Sequence, residues 1–576
     1  MSLRAIRFVA LLSFLLIACS LPKAAKVLDQ PSVRELRVES ALPESPEHGM
    51  FGEALTHHTL IARIDALAGD DNARGILLRL APLEGAFARA SELASALDAF
   101  RKTGKPVHCY FENADNTSYL LLARACDRIS MAPGGILDLV GIATEAVYAA
   151  ELLKTAGLRA DLIQIGAYKG AADPLTRTSM PPEVRETTEA LIGDLHAALT
   201  AAIAVGRKLD PARVQEVIDQ GPFSAEHARA AGLVDDVGFD DEARTHAKEA
   251  AKVDRVDVEE LKPRDRDMSV FDLIAALNGE GDHAPPSGDR IALAYLDGTI
   301  LSGSEDAVES AHAAPFVKEM RRLGDLPEVK AVVLRIDSPG GSALASDAMW
   351  HAVRRVAKRK PVIVSIGDLC ASGGYYVASA GTKIMANDES VVGSIGVVGG
   401  KIVGEELKER LGLKSERIAR GKRAGWSSSL SAFSDDERAA VTMLLEDTYA
   451  RFIDRIAEGR NLPKERILPL AEGRIMSGKR AREGHLVDER GGLAEALTMA
   501  RSMAKLGDSS GLEIWPPQRS LLDQIAQLAS GPTAKVEVRS VLPALLPHAL
   551  ARGLPTALVL SDDLQLAVLP FALTFH

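Results

Sequence analysis

Ala73-Arg74-Gly75-Ile76-Leu77-Leu78-Arg79-Leu80 and Val329-Lys330-Ala331-Val332-Val333-Leu334-Arg335-Ile336 are one apolar strand written twice. Arg79 and Arg335 stand 256 positions apart. Lys105-Pro106-Val107 returns as Lys360-Pro361-Val362 after 255, and Tyr119 as Tyr375 after 256. Gly232-Leu233-Val234-Asp235 is echoed by Leu486-Val487-Asp488 at about 253. A fainter echo joins Phe271-Asp272-Leu273-Ile274 to Leu522-Asp523-Gln524-Ile525. So constant a step marks an internal duplication. Within each copy, short apolar runs alternate with stretches of helical period: Val332–Ile336, then 345–358, then 361–366. That alternation predicts an α/β fold, two tandem repeats with mainly parallel sheets flanked by helices.

The rest of the chain divides around the repeats. Arg4 and Arg7 precede an apolar stretch from Phe8 to Ala18, too short to span a bilayer and shaped as a secretory signal. Leu16-Ile17-Ala18-Cys19 is similar to a bacterial lipobox, which implies cleavage and lipidation at Cys19 and a place in the cell envelope. The expected divisions are a signal peptide at 1–18, a tether at 19–46, a first repeat at 47–262, a linker at 263–289, a second repeat at 290–508 and a tail at 509–576. The linker contains the acidic, Pro/Gly-rich stretch 278–289. The tail carries the apolar piece 566–571, whose plainer use is packing against another subunit and whose sharper use is contact with lipid.

Composition narrows the function. The 576 residues are 47% hydrophobic and 26% charged, an ordinary globular make-up. A net charge of -11 argues against nucleic acid as a partner. Four cysteines exclude a disulfide framework. The plainer reading of Cys109 and Cys126 is two buried thiols, although an envelope location permits a bridge. Cys370 reads as a core residue. No cofactor and no metal site are expected.

The second copy holds the residues suited to chemistry. Asp337-Ser338-Pro339-Gly340-Gly341 follows a strand, and Gly-Gly lets backbone amides approach a ligand. Ala371-Ser372-Gly373-Gly374-Tyr375 opens a helix after another strand, so Ser372 is expected to be exposed at a strand-to-helix turn. Amides of Gly341 and Gly373 would form an oxyanion hole. Gly393-Ser394-Ile395-Gly396 adds a second strand-end serine. A serine needs a base, and no histidine lies among these glycines. A lysine can serve if desolvation lowers its pKa. The first copy offers Tyr168-Lys169-Gly170-Ala171-Ala172-Asp173-Pro174, a lysine among small residues.

Together these motifs, over residues 50–505, resemble the signal peptide peptidase A family in its long duplicated form, which belongs with the Clp protease and crotonase folds. The resemblance implies Ser372 as nucleophile, Lys169 as general base and Ser394 as the residue that holds the lysine. It implies hydrophobic peptides, cleaved signal peptides among them, as substrates, and a homotetramer; with the lipobox-like signal, the enzyme is expected to be lipid-anchored and to face the periplasm. The first copy has Asn116 where the second has Ser372, and it lacks the Gly pair. It would donate a lysine without running the reaction alone. Lys422, in Arg420-Gly421-Lys422-Arg423, occupies the position in the second copy that matches Lys169 and is the alternative base. Two other readings use the same fold: a non-catalytic envelope scaffold or chaperone, and a crotonase-type acyl-CoA enzyme, which an export signal disfavours.

Overall fold

The computed structural model describes residues 30–40, 42–46, 48–49, 52–53, 55–259, 286–303, 310–516 and 565–568. The signal segment with Cys19, the echo at 271–274 and 522–525, and most of the linker and tail lie outside them.

Both copies form the expected parallel sheets. In the first, the strands run Val256–Val258, Ser32–Val38, Ala73–Leu80, Val107–Asp115, Arg128–Asp138, Phe223–Ser224, with Asp236–Val237 also on Arg128–Asp138. In the second the order is Gly511–Trp515, Arg290–Asp297, Val329–Ser338, Val362–Ala371, Val391–Gly393, Ile475–Ser477, with Lys383–Ala386 also on Val362–Ala371. The duplication extends to single hydrogen bonds. Tyr119 donates its hydroxyl to the Leu233 carbonyl at 2.6 Å, and Tyr375 donates to Leu486 at 2.8 Å. The amide of Ile129 donates to Asp235 at 2.7 Å, as that of Ile384 does to Asp488.

Three expectations are corrected here. Residues 19–46 are not all tether, because Ser32–Val38 is a strand inside the first sheet, parallel to both Ala73–Leu80 and Val256–Val258. Arg34 and Glu35 are buried instead in ion pairs, Glu35 with Arg244 and with the exposed Arg37, and Arg34 beside Asp70 and Asp257. The tail likewise returns to the fold: Gly511–Trp515 lies parallel to Arg290–Asp297, and Gln565–Val568 enters a third sheet of this same chain. Cys109 and Cys126 are joined in a disulfide, their Cα atoms 5.9 Å apart. The strand and the end of the following helix bring them within bridging reach. Cys370 is a buried free thiol.

That third sheet ties the repeats together. Its order is Ser310–His312, Thr299–Leu301, Gly340–Ser342, Gln565–Val568, Val397–Val403, Arg159–Ile165. Arg159–Ile165 comes from the first repeat and pairs antiparallel with Val397–Val403 of the second, from Arg159 opposite Val403 to Ile165 opposite Val397. A buried ionic cluster makes a second seam. Arg335, fully buried, donates to Glu92 of the first repeat at 2.8 Å and to Glu44, in the segment just before that repeat, at 2.6 and 2.9 Å. Burial of such charges is tolerated when every one is paired.

One described helix, Pro182–Arg207, is long and apolar enough by length and composition to cross a membrane. Its Leu191, Leu195, Leu199 and Ile203 pack into the core of the first repeat.

Candidate active site

The strand Arg159–Ile165 delivers Lys169 from the first repeat across the seam. The strand Val362–Ala371 ends at Ser372, and Val391–Gly393 ends at Ser394. Lys169 Nζ lies 2.7 Å from Ser372 Oγ, 2.9 Å from Ser394 Oγ and 2.8 Å from the Ser394 carbonyl oxygen. All three residues are fully buried. Burial pushes the lysine far below its ordinary pKa, because the charged form loses its hydration and no carboxylate among its hydrogen-bond partners restores it. An uncharged amine has two N–H groups and one lone pair. The Ser394 carbonyl can only accept, so one N–H points there. The lone pair is then available to the Ser372 hydroxyl proton.

Both serines sit in strained backbone. Ser372 has φ 53° and Ser394 has φ 53°, a region costly for residues with a Cβ. Each is pinned by its own amide: Ser372 donates to the Gly393 carbonyl at 2.7 Å, and Ser394 to Arg474 at 2.6 Å. The expectation that Ser372 is exposed is corrected. The strand-to-helix turn is present, with the helix Gly373–Ala378 directly after it, but the side chain has no solvent exposure.

Gly341 lies in the short strand Gly340–Ser342, alongside Ile300. A Cβ there would stand 2.0 Å from the Ile300 carbonyl oxygen, so only glycine permits this approach. Ser338 shapes the turn before it, donating to the Gly298 carbonyl at 2.6 Å and accepting from the Gly340 amide at 3.2 Å. Asp337 receives the Leu369 amide at 2.9 Å, and its burial near Asp368 and Glu44 raises its pKa well above the usual carboxylate range.

Lys422 is not brought to this group. It lies on the surface and donates to Asp436 at 2.7 Å. Asn116, the counterpart of Ser372, serves as a clasp in the first repeat. Its side chain donates to the Gly141 carbonyl at 2.9 Å and accepts from the Gly141 amide.

Sequence reasoning passed over Gly473 and Gly396, which seat the lysine. A Cβ on Gly473, whose φ is 88°, would stand 2.3 Å from the Lys169 amide nitrogen. One on Gly396 would meet Lys169 Cδ at 3.0 Å. The neighbouring Glu472 carbonyl accepts the Tyr168 amide at 2.7 Å, and the Arg474 guanidinium lies 3.4 Å from the Tyr168 ring centroid. Gly396 stood within a quoted motif, but nothing in the sequence set Gly473 apart from an ordinary turn glycine.

Tandem crotonase-like repeats that bring a buried serine and a desolvated lysine together put this molecule among the serine peptidases. The chain belongs to peptidase family S49, whose sequence model matches residues 99–254 and again 354–507. It is 29% identical over 489 residues to the chloroplastic serine protease SPPA of Arabidopsis thaliana, covering 83% of this chain and 71% of that one. It is 29% identical over 524 residues to protease 4 of Salmonella typhi, with 89% and 81% covered. With protease 4 of Haemophilus influenzae it shares 28% identity over 488 residues, 81% of this chain and 76% of the other.

Proposed function

We propose that the chain is a bacterial envelope endopeptidase that degrades cleaved signal peptides and other apolar peptides with a Ser372–Lys169 dyad. The observation that carries this reading is the 2.7 Å separation of Lys169 Nζ and Ser372 Oγ in a site that lowers the lysine pKa. Lys169 Nζ takes the Ser372 proton as Oγ attacks the scissile carbonyl carbon. The amides of Gly341 and Gly373 stabilise the oxyanion. The ammonium of Lys169 then protonates the leaving amine. Restored to the free base, it activates the water that releases the acyl-enzyme. Ser394 holds the amine on its line of attack. Cys19 carries the lipid that anchors the enzyme facing the periplasm, and four copies enclose a chamber that admits unfolded segments.

Ser372→Ala and Lys169→Ala are each expected to abolish cleavage of an apolar reporter peptide while leaving circular dichroism unchanged. Full activity in Lys169→Ala, with loss in Lys422→Ala, would move the base to the surface lysine and overturn the dyad.

A further inference from the structure

The lysine comes from one repeat and its acceptors from the other, so the two turns that carry them must be fixed against each other. Glu472-Gly473-Arg474, just before the strand Ile475–Ser477, lies between those turns. On one side the Glu472 carbonyl accepts the amide of Tyr168, next to Lys169, at 2.7 Å. On the other, the Gly473 amide donates to the Ile395 carbonyl at 2.8 Å, and the Arg474 carbonyl accepts the Ser394 amide at 2.6 Å. Ser394 in turn holds Lys169 Nζ through both its carbonyl and its hydroxyl. The same three residues therefore locate the root of the lysine and the acceptor at its tip.

The Arg474 side chain fastens this bracket to the first repeat. Its guanidinium lies over the Tyr168 ring, 3.4 Å from the centroid, and 3.4 Å from Glu186 Oε1. The Tyr168 hydroxyl donates to Glu186 Oε2 at 3.2 Å, which closes a triangle of three side chains. Beside it, Thr187 of the helix Pro182–Arg207 accepts from the Ile475 amide at 3.1 Å and donates to the Ile475 carbonyl at 2.5 Å. A planar cation stacked on an aromatic face fixes orientation as well as distance.

The first repeat supplies a contrast. Ile136 stands opposite Ser224 as Val391 stands opposite Ser477. Carried three residues along each chain, that register matches Ser394 with Leu139 and Arg474 with Gly221. The copy with Asn116 in place of the nucleophile thus also lacks the orienting serine and the arginine.

We propose that Arg474 is a positioning residue for the Ser372–Lys169 pair: stacked on Tyr168 and paired with Glu186, it locks the lysine turn of the first repeat onto the Ser394 turn of the second. This rests on Ser372 and Lys169 being the reacting pair. Arg474 touches neither reacting atom. It acts through its neighbours, and loosening it lets the amine drift from Ser372 Oγ and lets water reach it.

The test uses the full chain and an apolar reporter peptide. Arg474→Met keeps an unbranched side chain and removes the cation. Its kcat is expected to fall about tenfold, with KM within about twofold of the wild type. Water admitted to Lys169 favours its charged form, so the acid limb of kcat/KM should move up by about half a pH unit or more. Tyr168→Leu should behave likewise, and Tyr168→Phe, which keeps the ring, should lose at least about threefold less. Arg474→Met/Tyr168→Leu should be no slower than the slower single variant, because both changes remove one contact. A kcat and an acid limb in Arg474→Met equal to those of the wild type overturn the proposal, as do losses that multiply in the double variant. If Arg474→Met does not fold, an unchanged kcat in Tyr168→Leu overturns it by itself. Failure of the dyad has a separate signature: full activity in Lys169→Ala, which removes the pair that Arg474 positions.

Discussion

At the scale of single residues, the lysine sets the pH behaviour. Buried Lys169 has its pKa depressed in the folded chain, whereas in the unfolded chain it holds its proton up to about 10.5. Between those two pH values the unfolded state binds more protons, so stability rises with pH there. Two outcomes are expected. The acid limb of kcat/KM should reflect loss of a proton from a group well below the ordinary lysine range, and arginine in its place should remove activity at every pH. Lys169→Met should be inactive yet melt a few degrees higher at neutral pH, a gain that shrinks as pH rises toward 10.5. Differential scanning calorimetry across pH, beside a pH-rate profile, reads both. A Lys169→Met chain less stable than wild type at pH 7 contradicts the idea of an amine kept uncharged at a cost.

The elements that seat these residues depend on close backbone contact. Gly473→Ala puts a Cβ against the Lys169 backbone at a positive φ. It is expected to lower kcat at least about tenfold and to destabilise by about 1–3 kcal/mol, with KM nearly unchanged. Steady-state kinetics and urea unfolding check this. The Cys109–Cys126 bridge closes a loop of 17 residues and should contribute about 3 kcal/mol, seen as a lower urea midpoint for Cys109→Ser. Legibility differed between elements for a physical reason. Parallel strands buried on both faces, such as Val332–Ile336 with only Arg335 interrupting it, are nearly continuous apolar runs, and the sequence displays them openly. Ser32–Val38 is buried as well, but its Arg34 and Glu35 are neutralised by partners some of which lie more than two hundred positions away, which composition does not reveal. The serine turns were legible because the glycines of Ser-Gly-Gly and Gly-Ser-Ile-Gly allow tight turns that residues with a Cβ resist. The fit of Gly473 against Lys169 was not, because it depends on a contact between distant loops.

Over the whole molecule, the repeats are joined by a shared sheet and by the Arg335 cluster, and neither seam was visible in the local pattern. Arg335→Met leaves Glu44 and Glu92 buried without their cation, and is expected to cost about 3–5 kcal/mol. Arg335 and His57 hold the Glu92 carboxyl down at about 2 against its burial. Its contribution is therefore present above pH 4.5 and is lost as pH falls toward 2. Glu92→Gln should flatten the acid limb of the unfolding curve followed by tryptophan fluorescence; an unaltered limb would exclude this carboxylate as the source. The division of the reacting pair also bears on how the enzyme is made. A ribosome that has finished Lys169 must add 203 more residues before the matching serine exists. With the proposed dyad, a chain ending before Ser372 has the lysine without its nucleophile, and such a fragment is expected to cleave no reporter peptide.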